Sequence, residues 1–404
     1  MKVRILPSKP RGEVTAPPSK SMAHRMLICS ALAEGESVIR HIALSEDISA
    51  TVDCLRALGA DIRISGDTAV IRGADPKVER TAELFCRESG STLRFMIPLC
   101  LLSEGEKTLS GSERLFSRPL SVYEEICQKQ GIRYERGETS LRIEGRLQTG
   151  VFEIPGDISS QFISGLLFAL PLLDGDSEIR LIPPVESKPY IDMTVQTLRE
   201  FGIRIEETKN GFFVRGSQKY SCKELSVEGD WSNAAFFEAM DTIFGDIRVT
   251  GLREDSLQGD KCCKILLKKI KNGESPIDIR DCPDLAPILF TAAAVFHGAV
   301  FEGTKRLKVK ESDRAQVMRE ELSKFGAKMI IEEDRVTVED TVLYAPTEPL
   351  CGHNDHRVVM SLSVLSVLFG AEIEGADAVR KSYPDFFSKL RELNVEVEEY
   401  GMDQ

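Results

Sequence analysis

Residues 309–314 read Val-Lys-Glu-Ser-Asp-Arg, which sets two permanent cations, Lys310 and Arg314, around the carboxylate of Glu311. Val317, Met318, Leu322 and Phe325 follow at helical spacing, so the pattern predicts one helix with Lys310 and Arg314 four residues apart at its N-terminus. Free N–H groups at a helix start attract anions, and two added cations make a site for a phosphate or carboxylate. Glu311 is then placed to donate or take a proton beside the bound anion. A single hexapeptide of this kind is more often an exposed charged helix start; what changes the balance is that the rest of the chain repeats the arrangement.

The elements that position such groups recur. Helices of small or apolar residues with polar first turns are expected at Ser19-Lys20-Ser21, Ser89-Gly90-Ser91-Thr92, Ser159-Ser160-Gln161, Asp230-Trp231-Ser232-Asn233, Pro283-Asp284 and Asn354-Asp355-His356. With residues 20, 90, 160, 231, 284 and 355 as markers the spacings are 70, 70, 71, 53 and 71. Between them runs a phrase of helix end plus hairpin, clearest at residues 55–73 and 198–216, with looser copies at 126–145 and 322–340 and from Leu390. This is an internal repeat of six copies. The fourth is short, its hairpin squeezed into residues 272–281 with one strand pair missing. Segments 160–170 and 286–295 are apolar nearly all round and must be buried, so the fold class is α/β, with sheets over a helical interior. Equivalent helices would point their N-termini the same way, toward a common cleft. Lys20, Arg25, Arg94, Asp284 and Arg357 lie at or beside those starts, and Arg118 and Lys188 in loops add phosphate donors. These residues describe a two-domain enzyme for small polyanions, with a mobile cleft.

At 404 residues the chain suggests two or three domains. A net charge of -12 argues against nucleic acid as the main partner. It leaves room for a small anion in a locally positive cleft. Ten cysteines without a C-x-x-C pair read as free thiols in a reducing compartment. Met-Lys-Val-Arg before Pro7 is not an apolar signal, and the longest apolar run, residues 162–173, is broken by Ser164, Gly165 and Pro171. A soluble, cytoplasmic protein with no membrane partner is expected. His353 and His356 have a spacing seen at metal sites but no third ligand nearby, so no metal is expected. Trp231 is expected to pack at a hinge.

The whole chain resembles the 5-enolpyruvylshikimate-3-phosphate synthase family of enolpyruvyl transferases. The resemblance rests on Pro18-Ser19-Lys20-Ser21 with Arg25, Ser-Gly-Ser-Thr-Leu-Arg at 89–94, Arg118-Pro119, Ser159-Ser160-Gln161-Phe162, Ser187-Lys188-Pro189-Tyr190 and Glu228-Gly229-Asp230. It continues through Pro283-Asp284, Lys310-Glu311-Ser312-Asp313-Arg314, Asn354-Asp355-His356-Arg357 and Lys381 before Tyr383-Pro384-Asp385. It implies two domains of three β-α-β-α-β-β units, residues 21–227 and residues 228–404 with 1–20, hinged near residues 14–20 and 227–230. It also implies transfer of the enolpyruvyl group of phosphoenolpyruvate to the 5-hydroxyl of shikimate 3-phosphate, with no cofactor, by a monomer whose phosphoenolpyruvate pocket glyphosate would occupy. By the same resemblance, shikimate 3-phosphate would be held by Lys20, Ser21, Arg25, Ser159, Ser160, Gln161, Ser187, Tyr190, Asp284 and Lys310. Phosphoenolpyruvate would be held by Lys20, Gly90, Arg118, Gln161, Arg314, Arg357 and Lys381, the two arginines 314 and 357 gripping its carboxylate. Asp284 would act as base and Glu311 as the acid that protonates the methylene carbon, with Lys20 a further catalytic cation.

Three departures from the family pattern stand out: Glu88-Ser89-Gly90-Ser91 replaces Asn-Ala-Gly-Thr, the fourth unit is compressed, and Arg306 stands where Asn is usual. Two other functions share part of this pattern. Enolpyruvyl transfer to a UDP-sugar, UDP-N-acetylglucosamine, goes with a mobile-loop cysteine, and none lies between Cys100 and Cys127. A non-catalytic polyanion-binding relative would have no need to keep Asp284 and Glu311 together with every cation.

Overall fold

The computed structural model describes residues 1–401. Its internal contacts divide the chain into two compact units, Pro18–Glu228, and Met1–Pro17 together with the chain from Gly229 onward. Pro18, Ser19, Lys20 and Glu228 therefore group with the first unit, whereas the expected division set residues 1–20 and 228 with the second. The local reason is capping: Ser19 donates its N–H to Glu228 O, its side chain accepts from Met22 N, and Lys20 opens the helix Lys20–Leu32.

Within Pro18–Glu228 three four-stranded sheets share one topology. In the clearest, Ala82–Phe85 runs parallel to Lys107–Ser110, which pairs antiparallel with Ser140–Glu144, which closes a hairpin with Arg133–Arg136. Val151–Pro155, Ser177–Ile182, Gly211–Val214 and Ile205–Thr208 repeat the order, as do Glu224–Ser226, Glu36–Arg40, Thr68–Arg72 and Asp61–Ser65. A parallel pair requires a crossover, and the crossovers are the apolar helices Gly90–Cys100 and Ser160–Ala169, buried along nearly their whole length. Strands alternate: Leu141 and Ile143 are buried while Arg142 and Glu144 are exposed, so each sheet has one wet face. The phrase ending at residues 73 and 216 has a steric cause. The backbone there passes so close to the preceding helix end that a Cβ on Gly73 would sit 2.2 Å from Ala33 O, and one on Gly216 2.2 Å from Gly175 O. Ala74 N and Ser217 N then bond to the equivalent carbonyls of Ala31 and Leu173.

The second unit holds two sheets of the same topology. One is Ile277–Asp278, Ala299–Glu302, Arg335–Val338 and Met329–Ile331; the other is Leu350–Cys351, Ala371–Glu374, Lys2–Ile5 and Val397–Tyr400. The chain start thus supplies the strand that the last repeat needs, Val3 lying opposite both Ile373 and Glu399. The shortened fourth repeat is reduced to one parallel pair, Ile247–Thr250 with Gly12–Thr15. The buried helices here are Trp231–Phe244, Ala286–Val295 and His356–Phe369. Trp231 is a packing residue at the start of the first, its Nε1 donating to Arg253 O at 3.1 Å. Among the described residues no helix is long and apolar enough to cross a membrane.

The Gly216 contact is with backbone on both sides, Gly175 O and Leu173 O at 2.5 Å, so no side chain can swing away. Gly216→Ala is expected to lower stability by about 2–3 kcal/mol through overpacking. A urea titration checks this; a midpoint equal to that of the unsubstituted protein would refute the steric explanation.

Candidate active site

The six polar starts all begin helices or short turns leading into them. Ser19, Ser89, Ser159, Asp230 and Asp355 are N-caps whose side chains accept from the first-turn N–H groups of Met22, Thr92, Gln161, Asn233 and Arg357. The fifth differs: a 3-10 turn, Pro283–Leu285, carries Asp284 and leads into Ala286–Val295.

In the unit Pro18–Glu228 the starts at residues 20, 90 and 160 are wired together. Arg94 Nη1 donates to Gln161 Oε1 at 2.7 Å, and Gln161 Nε2 donates to Ser91 Oγ at 2.9 Å, which fixes the amide orientation. Lys20 Nζ meets Asp47 Oδ2 at 2.7 Å. Behind it a buried chain runs from His24 Nδ1 to Thr51 Oγ1 at 2.8 Å and on to Thr92 Oγ1 at 2.7 Å. Thr92 Oγ1 donates to Ser89 Oγ, also at 2.8 Å. Burial, with Lys20 and Arg25 nearby, pushes the His24 pKa well down, so its imidazole is neutral. Arg25 is a buried strut: Nε donates to Thr194 Oγ1, Nη1 to Ser21 O and Nη2 to Tyr190 O, so Ser21 and Tyr190 are held against one another. Burial lowers its pKa to about 10. Ser187, with φ of 56°, sits in the left-handed region just before the helix Lys188–Glu200. Lys188 is thus the first residue of a helix, paired with Asp192 at 2.6 Å, and not a loop residue as expected.

Arg118 follows the short helix Glu113–Ser117 and is buried, and its Nε lacks a hydrogen-bond partner among the described residues. Its Nη1 would lie 2.3 Å from a Cβ on Gly90. Glycine at 90 thus makes room for this guanidinium at the N-terminus of Gly90–Cys100. An unpartnered buried guanidinium beside free helix N–H groups is equipped for an anion. Ser160 is buried in the first turn of its helix, and Glu88 lies half-buried just before the Ser89 cap.

The other unit gathers Asp284, Lys310, Glu311, Arg314 and Arg357 around one guanidinium. Arg314 is fully buried and donates from Nε to Asp355 Oδ2 at 3.0 Å, from Nη1 to Asp284 Oδ1 at 2.7 Å, and from Nη2 to Glu311 Oε2 at 2.7 Å. Arg357 Nη2 reaches Asp284 Oδ2 at 3.2 Å, and Lys310 Nζ reaches Asp284 Oδ1 at 3.2 Å. Lys381 Nζ donates to Asn354 O at 2.6 Å. Burial opposes the charge on Asp284, but Arg357, Lys310 and Arg314 outweigh it and hold the carboxyl well below its usual range. Burial lowers the Lys310 pKa against the pull of Asp284, while Asp355, Glu311 and Asp284 raise that of Arg314. Arg306, where Asn was the family habit, turns its Nη2 to Arg280 O at 2.9 Å.

One expectation changes. The helix begins at Arg314, not at Lys310, because Asp313 takes the N-cap and accepts from Gln316 N; Lys310 ends the preceding 3-10 turn in extended conformation. Sequence reasoning also missed three carboxylates. Asp355 lay inside a quoted motif and orients Arg314 while capping its own helix. Asp47 is remote in sequence from Lys20 and had no local signal. Asp260, buried in the 3-10 turn Gly259–Cys262, belongs to the compressed fourth repeat. Among the described residues no group of three or more His, Cys, Asp or Glu side chains is arranged to hold a metal.

Asp260 yields a pH test. Burial first, then the negative charge of Asp284, raise its pKa to about 6; Asp230 adds to this, and Arg357 and the Ser232 hydroxyl oppose it. A raised carboxyl pKa contributes stability at low pH that is lost as pH rises through the folded value, here between about 4 and 6. Asp260→Asn stays neutral throughout. Its stability relative to the unsubstituted protein should therefore rise on the order of 1 kcal/mol from pH 5 to pH 8. Urea midpoints at the two pH values measure this, and parallel pH profiles would contradict it.

Residues 6–390 match the family model for EPSP synthase, 3-phosphoshikimate 1-carboxyvinyltransferase. A Clostridium kluyveri protein named 3-phosphoshikimate 1-carboxyvinyltransferase is 39% identical over 427 residues, covering 99% of each chain. One of the same name from Clostridium perfringens is 40% identical over 423 residues, covering 97% of this chain and 98% of that one. The structure of EPSP synthase from Acinetobacter baumannii superimposes with a TM-score of 0.78 over 98% of this chain and 100% of that chain, at 23% identity, a likeness of fold. With a family match over nearly its whole length and relatives this similar from end to end, the chain belongs to the EPSP synthase family.

Proposed function

We propose that this chain transfers the enolpyruvyl group of phosphoenolpyruvate to the 5-hydroxyl of shikimate 3-phosphate and releases inorganic phosphate, without metal or cofactor. The observation that most supports it is that a single buried guanidinium, Arg314, holds two carboxylates, Asp284 and Glu311, each at 2.7 Å. Such a cluster offers an acid and a base in fixed relation to the cation that would take the substrate carboxylate. The planar guanidinium has five N–H donors, so three carboxylate bonds leave two for a ligand.

In this reading Glu311 protonates the methylene carbon of phosphoenolpyruvate, and the adjoining carbon gains oxocarbenium character. The 5-hydroxyl oxygen attacks that carbon while Asp284 accepts its proton. Asp284 is a weak base, because three cations depress its pKa. It suffices because the attacking hydroxyl becomes strongly acidic as its new bond forms. In the second half phosphate leaves with the proton that Asp284 took, and the new methyl group returns one to Glu311, giving the enol ether and restoring both carboxyl groups. Arg314, Arg357 and Lys381 take the carboxylate and phosphate of phosphoenolpyruvate, joined by Lys20, Gly90, Arg118 and Gln161. Ser21, Arg25, Ser159, Ser160, Ser187, Tyr190 and Lys310 hold shikimate 3-phosphate. Arg25 acts there largely by positioning Ser21 and Tyr190, since its guanidinium already donates to both of their carbonyls. Ten free cysteines support a reducing, cytoplasmic setting.

Phosphate release from phosphoenolpyruvate, with and without shikimate 3-phosphate, tests the reaction; release must depend on both. Glu311→Gln and Asp284→Asn keep shape but remove the titrating group, and each should lower turnover at least about a hundredfold with far smaller changes in substrate affinity. Ordinary turnover in either variant would strip that residue of its role.

A further inference from the structure

Seven residues beyond Arg314, on the same helix Arg314–Ser323, Glu321 is buried and serves none of the groups assigned above directly. Its carboxylate grips the turn that leads into the helix His356–Phe369. Oε2 accepts from Cys351 N at 2.9 Å and from Lys324 Nζ at 2.9 Å, while Oε1 pairs with His353 Nε2 at 2.9 Å. Lys324 Nζ also donates to Pro349 O at 3.0 Å, so the segment is held on both sides of the strand Leu350–Cys351.

This turn is unusual in its backbone. His353 and Asn354 are consecutive non-glycine residues in the left-handed region, with φ of 47° and 53°. Such a conformation is disfavoured for an L residue and persists only where surrounding contacts impose it. What it accomplishes lies at the site. The carbonyl of Asn354 is the acceptor for Lys381 Nζ, and Asp355 next in line accepts from Arg314 Nε and Ser312 Oγ and caps Arg357 N. One left-handed turn therefore sets the acceptors of two cations, Lys381 and Arg314, and caps the helix start that carries a third, Arg357.

We propose that Glu321 and His353 are positioning residues for phosphoenolpyruvate: their bond locks the Cys351–Asp355 turn in the conformation that aims Lys381, Arg357 and Arg314. This rests on the reading that those three cations bind phosphoenolpyruvate. The Glu321 carboxylate can only accept, so the imidazole donates through Nε2–H. Loss of the lock relaxes the turn and weakens the grip on phosphoenolpyruvate, leaving the shikimate 3-phosphate groups of the other unit as they are.

The His353 side chain is 24% exposed, so replacing it opens no core cavity. His353→Leu removes the donor; His353→Gln retains an N–H the same number of bonds from Cα. The Leu variant should raise KM for phosphoenolpyruvate about tenfold, with kcat within about threefold and the shikimate 3-phosphate dissociation constant within about twofold. The Gln variant should stay near the unsubstituted protein. An unchanged phosphoenolpyruvate KM in His353→Leu, an equal rise in both variants, or an equal loss of shikimate 3-phosphate affinity would overturn the proposal. Lys381→Met separates this from the underlying reading. If it raises KM while His353→Leu does not, only the positioning role fails; if it leaves KM unchanged, the assignment of Lys381 fails and the proposal falls with it.

Discussion

A fully buried guanidinium surrounded by three carboxylates is the constraint on which the unit from Gly229 onward depends. Arg314 cannot lose its charge at any ordinary pH, and taking it out of water is tolerable only because Asp355, Asp284 and Glu311 each accept one of its N–H groups. Removing one partner from such a set typically costs about 3–5 kcal/mol, so the geometry around Arg314 is enforced by folding itself. Glu311 and Asp284 are consequently held in register before any ligand arrives. Asp284 is drawn into its ionised form by Arg357 and Lys310 as well, the form that the proton-accepting role proposed for it requires.

The scaffold that delivers these groups is repetitive for a physical reason. A parallel strand pair needs a crossover, the crossover helix is buried on every side, and its first turn is the place where a buried helix exposes unpaired N–H groups. Serine or aspartate caps satisfy some of those donors, as Ser89 does for Thr92 N and Asp355 for Arg357 N. The others remain for an anion. Repeating this unit therefore multiplies anion sites with little further invention, and the shortened fourth repeat leaves its helix Trp231–Phe244 and cap Asp230 intact while losing outer strands.

Much of this was legible in the sequence where the signal is local. Polar caps before apolar runs located the helices, and the recurring phrase at 55–73 and 198–216 located two hairpins. Asp284, Glu311 and Arg357 stand out in the sequence because their neighbours are distinctive, and the structure brings the three together. What escaped was pairing across sequence distance: Asp47 against Lys20, Asp355 against Arg314, Glu321 against His353. An aspartate or glutamate in a helix looks the same whether it faces water or a buried cation. The start of the Arg314 helix was misplaced for a related reason, since Lys310 fits helical spacing and only the Asp313 cap excludes it.

The central claim is that Glu311 adds a proton to carbon and later takes one back. Running the reaction in deuterium oxide and reading the product by proton and deuterium NMR tests it directly. The transient methyl group contains one solvent-derived hydrogen, and elimination removes any of the three, so product formed in deuterium oxide should contain deuterium at its vinyl methylene carbon. Product that forms at the ordinary rate with no deuterium there would contradict addition–elimination and the role given to Glu311.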